Sequence, residues 1–215
     1  MDSYQKFRSD FGINEDRFYQ WGIDSTIFPD PDKVKLSWDN LKDRIFNNKT
    51  VYIRGYGRDV KGTQLYKDFY ELVFENSNVE KDPTNNRWPQ QNIETLTGLK
   101  RNRDIFNYQV SHIWGHTKNV FLFEAPWNIC YTPKIIDPFT GHEASGVWPK
   151  QYKKLFLARA FDLYKPFIEE YNDIISSYDI ACKLQIYTSQ LEGTFIPQKL
   201  SQFKSDAMKE LAVIK

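Results

Sequence analysis

The fold is decided by residues 107–142, which read NYQVSHIWGHTKNVFLFEAPWNICYTPKIIDPFTGH. Two apolar, strand-like runs, Tyr108–Trp114 and Trp127–Ile136, flank a polar connection in this stretch. Asp137 and Pro138 then indicate a turn or the start of a helix. The pattern therefore predicts a β-hairpin that is followed by a turn or a very short helix.

The residues that could carry chemistry are concentrated in the same stretch. All three histidines of the chain lie in it, at positions 112, 116 and 142. They are accompanied by polar side chains that can hold a divalent metal or move a proton, namely Asn119, Asn128, Asp137 and Glu143. The functional interpretation of the sequence rests mostly on this cluster.

The segment before the hairpin is predicted to be helical at its start, over residues 1–48. Aromatic residues are spaced there for one helical face, at Tyr4, Phe7, Phe11, Phe18 and Trp21. Pro29 and Pro31 break the chain, and a second amphipathic helix is expected to begin near Ser37. This region is interpreted as a packing layer.

A β-rich run, Thr50–Arg54, leads into a glycine-rich turn and an amphipathic helix with Thr63 as its candidate cap. Such a turn can hold an anion, in which case Arg54, Arg58 and Lys61 would contact phosphate. The spacing matches neither the dinucleotide fingerprint nor the P-loop. A plain connection between strand and helix is the favoured interpretation.

Further helices are predicted on both sides of the hairpin. One is opened by Trp88 or Pro89 and ended by Gly98. The basic turn after it would either neutralise phosphates through Arg101 and Arg103 or simply be solvated. Beyond the hairpin we expect a helix with Pro149 near its start and a break or kink at Pro166, and then helices over 180–191 and 198–214.

Composition excludes several classes of protein. The chain has 215 residues and a net charge of +1, which argues against a histone-like or coating protein. Its two cysteines are 52 positions apart, which makes a zinc knuckle or a disulfide scaffold improbable. No apolar leader and no run of about 18 apolar residues occurs. A cytoplasmic protein with no membrane partner is expected.

The hairpin resembles the nuclease finger of the HNH, or ββα-metal, superfamily. Val110-Ser111-His112-Ile113 is similar to the first strand of that finger, which ends at the general-base histidine. Asn128 follows His112 by 16 positions, where the family has an asparagine at the head of the second strand. Asp137 follows nine positions later, near the expected third polar residue.

The resemblance implies roles for these residues. His112 would be the general base, and Asn128 would either ligate the metal or brace the loop. Asp137 would be a metal ligand, with His142 as its competitor, for one divalent ion, Mg²⁺ or Mn²⁺. Apart from the resemblance, the polar loop offers Lys118 and Asn119 as contacts to nucleic-acid phosphates, and His116 would either join them or simply be exposed at the surface.

The implied fold is α+β: a ββα-metal-like β-hairpin finger embedded in a mainly helical single domain. The finger would occupy residues 106–146, between an N-terminal helical or recognition region (1–105) and a C-terminal helical region (147–215). Because the finger lacks paired cysteines, it is expected to depend on the flanking helices for support.

The sequence is compatible with three functions. The first is a metal-dependent DNA endonuclease, sequence-specific in the manner of restriction enzymes and acting as a homodimer on a symmetric site. The alternative is a non-catalytic nucleic-acid-binding or interaction protein whose contacts come from helices within residues 63–98. The third is another hydrolase, which would use His112 with Asp137 or Glu143 on a small substrate.

Overall fold

A computed structural model describes residues 2–55, 60–141 and 144–215, apart from the side chains of Val60 and Lys61. Three residues of interest, Arg58, His142 and Glu143, therefore lie outside the described chain, as does the side chain of Lys61. The described part is mainly helical, with two sheets of two strands each, which confirms the predicted α+β class. No described helix combines the length and the apolar character that crossing a membrane requires.

The elements follow one another along the chain with short connections. The helices are α1 (Ser3–Asp10), α2 (Glu15–Ser25), α3 (Pro31–Phe46), α4 (Val60–Phe74), α5 (Arg87–Thr97), α6 (Asp137–Thr140), α7 (Val147–Ser177), α8 (Ile180–Gln190) and α9 (Pro197–Glu210). The strands are β1 (Val51–Ile53), β2 (Val79–Lys81), β3 (Tyr108–His112) and β4 (Ile129–Pro133). β1 and β2 pair in parallel, whereas β3 and β4 are antiparallel.

The predicted hairpin is present, and both of its strands are shorter than the apolar runs. The register pairs His112 with Ile129 and Tyr108 with Pro133. β3 ends at His112, and the loop that leads to β4 follows it. β4 is also bonded on its other edge, where Tyr131 exchanges two backbone hydrogen bonds of 2.9 and 3.0 Å with Ile27.

Two helix starts differ from the predictions. α3 begins at Pro31, six residues before Ser37, because proline suits the first helical position and the Asp30 side chain accepts a hydrogen bond from the Asp32 amide at 2.9 Å. Thr63 lies inside α4, so it is not the cap of that helix. The predicted end of α5 is confirmed, since Gly98 adopts the left-handed conformation with φ of 73°.

α7 continues through Pro166, where a break or kink was predicted. Buried side chains hold the helix in the core on both sides of the proline, at Tyr164, Ile168 and Tyr171. Packing thus keeps the segment helical although the proline lacks an amide hydrogen. β2 was not predicted, because three residues are too short for a periodic signal.

One hydrophobic core draws residues from all three predicted regions, including Trp38, Phe69, Trp127, Tyr171 and Leu211. The aromatic residues dominate it, and most of the largest fully buried side chains are Phe, Tyr or Trp. The hairpin is therefore supported by its helical surroundings, as its lack of paired cysteines implied.

A buried ion pair connects α3 to the loop between β3 and β4. The Glu124 side chain is only 1% exposed, and its carboxylate accepts from Arg44 Nη2 at 2.8 Å and from the Tyr52 amide at 2.6 Å. Burial raises the pKa of Glu124, whereas the Arg44 charge opposes that shift. The Arg44 guanidinium therefore compensates the negative charge of the Glu124 carboxylate, which would be costly to bury alone.

Replacing Arg44 with alanine is expected to lower the free energy of unfolding by about 3–5 kcal/mol, because it leaves a carboxylate buried without its cation. Urea unfolding followed by tryptophan fluorescence measures the effect. Lys49→Ala is the control, since Lys49 pairs with Asp43 at the surface, where both side chains are about half exposed. Its expected effect is below about 1 kcal/mol. Equal effects of the two variants would contradict the prediction.

Candidate active site

A cleft of about 510 Å³ opens beside the end of β3 and the loop that follows it. Its lining includes Arg54 and the Thr84–Asn86 turn from before the hairpin, and Asp137, Gly141 and Lys153 from after it. The hairpin and its loop contribute Ser111, His112, Trp114 and His116. Polar and ionisable side chains that are distant in sequence thus meet in one cavity.

The backbone fixes the tautomer of His112. Its Nε2 lies 3.0 Å from the carbonyl oxygen of Phe123, and the two rings stack with centroids 5.5 Å apart. Because a carbonyl oxygen can only accept, Nε2 carries the hydrogen. In the neutral ring, Nδ1 then holds the lone pair, and no described residue hydrogen-bonds to it. His112 is therefore arranged to accept a proton at Nδ1.

The surroundings of His112 keep its imidazole neutral. The pKa of His112 is lowered from 6.5 to about 4, and burial is the largest cause. The Arg54 charge acts in the same direction, whereas the hydrogen bond to Phe123 and the Asp82 charge act in the opposite direction. The ring is therefore in its proton-accepting form at neutral pH.

Asn128 braces the loop. Its Oδ1 accepts from the Trp114 amide at 2.9 Å, and its Nδ2 donates to the carbonyls of Gly115 at 3.1 Å and Leu122 at 2.8 Å. The residue is fully buried, and both side-chain atoms are used by the loop backbone. Of the two predicted roles, these hydrogen bonds match the brace, and metal ligation by Asn128 stays a prediction.

Asp137 begins α6 and faces the same cleft as His112. The hydroxyl of Ser111, the residue before His112, donates a hydrogen bond to Asp137 Oδ1. The helix after β4 has only four residues, as the sequence suggested, yet it is long enough to bring this carboxylate beside the end of β3. Asp137 is the described carboxylate that can hold a cation in the cleft.

The predicted nucleic-acid contacts in the loop have three different environments. His116 lines the cleft. The ammonium of Lys118 lies over the Tyr66 ring, 5.7 Å from its centroid, and Lys118 is not among the residues that line the cleft. Asn119 is fully buried, so a direct contact between its side chain and a nucleic acid is excluded in this conformation.

The two arginines of the basic turn lie outside the cleft. Arg103 pairs with Asp104 at 2.8 Å, so its charge is already neutralised. The guanidinium of Arg101 donates to the side-chain oxygens of Gln90 at 2.8 Å and Gln109 at 3.5 Å. Gln109 lines the cleft, whereas neither arginine is among the lining residues. Arg103 is the weaker candidate for a nucleic-acid contact, because its charge is paired with Asp104.

Comparison with known proteins gives a family. The family model described as "Uncharacterised protein PM1201" matches residues 29–215. The chain belongs to the PM1201 family. Its curated relative "Uncharacterized protein PM1201" from Pasteurella multocida (strain Pm70) is 41% identical over 186 residues, which covers 86% of this chain and 84% of the relative. No solved structure gives a significant match.

The part of the chain that matches the PM1201 family includes every described residue that lines the cleft, from Arg54 to Lys153. By contrast, α1 and α2 precede the matched region. The described residues of the cleft thus come from the part of the chain that matches the family.

Sequence reasoning missed two contributions to the cleft. Lys153 was not singled out, because a lysine on a helix carries no recognisable signal. The turn before α5 was missed as well, although the buried Asp82 accepts hydrogen bonds from the Thr84, Asn86, Arg87 and Trp88 amides there. The Asp-Pro-Thr-Asn-Asn run could have indicated such a turn.

Proposed function

We propose that this protein is a metal-dependent endonuclease that hydrolyses phosphodiester bonds of DNA, with His112 as the general base. The supporting observation is the pairing of a neutral histidine, whose Nε2 is engaged by a backbone carbonyl, with a carboxylate that faces the same cleft. The histidine stands at the end of a strand in an antiparallel hairpin whose loop is braced by Asn128. This agrees with the HNH-like interpretation of the sequence.

His112 would carry out the proton transfer. Its Nδ1 accepts a proton from a water molecule as the water oxygen forms a bond to phosphorus. One P–O ester bond breaks, and the departing alkoxide takes a proton from solvent. The Nε2–H remains bonded to the Phe123 carbonyl, which holds the ring in place and stabilises the imidazolium that forms.

Asp137 would hold the divalent metal. Among residues 2–55, 60–141 and 144–215, no three His, Cys, Asp or Glu side chains form a metal-binding group. The donor set nevertheless fits Mg²⁺, which is commonly bound by one or two carboxylates together with waters and substrate phosphates. When bound, such an ion stabilises negative charge on the phosphate and on the leaving oxygen. His142, the predicted competitor for this role, lies outside the described residues.

Cations that line the cleft would bind the DNA backbone. Arg54 is exposed, and no described residue pairs with its side chain. Lys153 also lines the cleft and donates to the Gly141 carbonyl at 3.1 Å. Two positive charges in the cleft that holds the base would attract a phosphate and contribute to salt-dependent binding.

The proposal extends to the specificity, the oligomeric state and the compartment of the enzyme. We expect it to be sequence-specific and to act as a homodimer on a two-fold symmetric site. The cytoplasm is the expected compartment. A non-catalytic nucleic-acid-binding protein is the alternative, and it predicts DNA binding without strand cleavage.

The proposal is tested by incubating the full chain with plasmid DNA, single-stranded DNA and RNA in Mg²⁺ or Mn²⁺, with matched reactions in EDTA. Discrete plasmid fragments that EDTA abolishes are the expected result, and smearing would indicate a nonspecific nuclease. Binding without cleavage in a gel-shift assay would favour the non-catalytic alternative. Cleavage that persists in EDTA would overturn the metal requirement.

The pKa of His112 gives a distinctive pH profile. We expect kcat/KM for cleavage to be sustained down to about pH 5 and to fall as the pH drops through about 4, because protonation removes the lone pair of Nδ1. An ordinary histidine base would lose activity near pH 6.5. Because the phosphate adds negative charge, kcat should fall at a higher pH than kcat/KM does. Circular dichroism at each pH controls for unfolding, and a kcat/KM midpoint near 6.5 would contradict the prediction.

A further inference from the structure

Asn119 is a buried residue that uses its whole hydrogen-bonding capacity. Its Oδ1 accepts from the amides of Phe121 at 2.8 Å and Leu122 at 3.2 Å. Its Nδ2 donates to the Tyr171 hydroxyl at 2.8 Å and to the Glu210 carbonyl at 2.7 Å. Two acceptor and two donor positions are all that an asparagine side chain has. Such a residue defines the local backbone, because any displacement would leave buried polar groups unpaired.

The turn that Asn119 stabilises ends at the carbonyl that holds His112. The Phe123 amide donates to the Asn119 carbonyl at 3.0 Å, which closes the turn. The Phe123 carbonyl then accepts from His112 Nε2 at 3.0 Å. The turn that the Asn119 side chain holds at Phe121 and Leu122 thus continues directly into the residue whose carbonyl bonds the ring of His112.

The same turn is attached to the C-terminal segment, residues 210–214. Besides the bond from Asn119, the Glu210 carboxylate accepts from the Lys118 amide at 3.0 Å. The Tyr171 hydroxyl donates to the Ala212 carbonyl at 3.1 Å. The end of the chain is thus bonded to the loop that carries the turn.

We infer that Asn119 is a positioning residue: it fixes the turn whose Phe123 carbonyl orients His112, and it ties that turn to the C-terminal segment. The part of this inference that concerns DNA cleavage rests on the proposed function. The part that concerns the orientation of the His112 ring follows from the hydrogen bonds alone. Removing the Asn119 side chain frees the Phe121 and Leu122 amides, relaxes the turn and releases the ring.

The test is nitrogen-15 NMR of the histidine rings in the full-length protein, with His112→Gln used to assign the signals. In the wild type we expect a single tautomer at His112 with a slowly exchanging Nε2–H. In Asn119→Ala we expect that protected hydrogen to be lost and the two ring nitrogen shifts to move toward each other. If cleavage is present, its rate should fall roughly 10- to 100-fold, as is typical when a supporting residue is removed.

Asn172→Ala is the matched control. Asn172 is also an asparagine that holds the C-terminal segment, through bonds of 2.8 Å to both the amide and the carbonyl of Ile214. It has no bond to the turn, so the signals of His112 should stay as in the wild type. The same loss of protection in both variants would overturn the specific role of Asn119.

Asn119→Ser is the second variant, for the case in which the alanine variant does not fold. Serine keeps a neutral oxygen that can accept from the Phe121 amide, two residues further on, and it loses the donors to the Tyr171 hydroxyl and the Glu210 carbonyl. The protected His112 hydrogen should persist while amide exchange at Ile214 becomes faster, and its loss would overturn the inference. A wild type that cleaves no DNA, together with the expected NMR changes, would refute the nuclease and leave the positioning role intact.

Discussion

The His112→Ala variant is expected to cleave DNA about 10²- to 10⁴-fold more slowly than the wild-type protein, which is the usual contribution of a positioned general base. The reason is that Nδ1 of His112 is the proton acceptor in a cleft that Asp137 also lines, while its Nε2 is committed to the Phe123 carbonyl. Initial rates of plasmid nicking at saturating Mg²⁺ measure the effect. His112→Gln should be equally slow, although its side chain can still donate to the Phe123 carbonyl.

His116→Asn is the control for that experiment. His116 lines the same cleft, and asparagine tolerates the left-handed backbone found there, with φ of 51°. Its expected loss of rate is less than about tenfold, because a phosphate contact contributes less than the base does. If His112→Ala keeps full activity, the assignment of the base is wrong and the search moves to His116 and His142.

The Asn128→Ala variant is expected to lose about 3 kcal/mol of the free energy of unfolding, since it leaves the Trp114 amide and the Gly115 and Leu122 carbonyls without their partner. For a chain of this length the midpoint of thermal unfolding should fall by roughly 6–12 °C. Thermal unfolding followed by circular dichroism gives both values. Asn92→Ala is the control, because Asn92 makes one hydrogen bond, to the Glu124 carbonyl at 3.1 Å, and should cost about 1 kcal/mol.

Asn128→Asp separates a brace from a metal ligand. As a brace, the new carboxylate would be buried facing the Gly115 and Leu122 carbonyls, so the variant should be less stable than Asn128→Ala. As a ligand, the carboxylate would bind a divalent cation at least as well as the amide does. Retained stability with tighter metal binding in Asn128→Asp would therefore reverse the interpretation of this residue.

Patterns within one short stretch of sequence predicted part of the site. Two apolar runs on either side of a polar loop predicted the hairpin, and the spacing of His112, Asn128 and Asp137 indicated its candidate functional residues. The brace was one of two roles foreseen for Asn128. Asn119 was misassigned as a nucleic-acid contact, because an asparagine in a polar loop has the same sequence signature whether it is solvated or buried.

The sequence by itself determined the hairpin, the concentration of histidines and the helical surroundings, including the end of α5 at Gly98. These follow from periodicity and turn chemistry, which act over a few neighbouring residues. Only the tertiary structure decided the tautomer of His112, the burial of Asn119 and the convergence of Arg54 and Lys153 on one cleft. Those features depend on partners far along the chain, as in the bond between Asn119 and Glu210 across 91 positions. No local pattern specifies such a contact, because it forms only when packing of the core brings the two segments together.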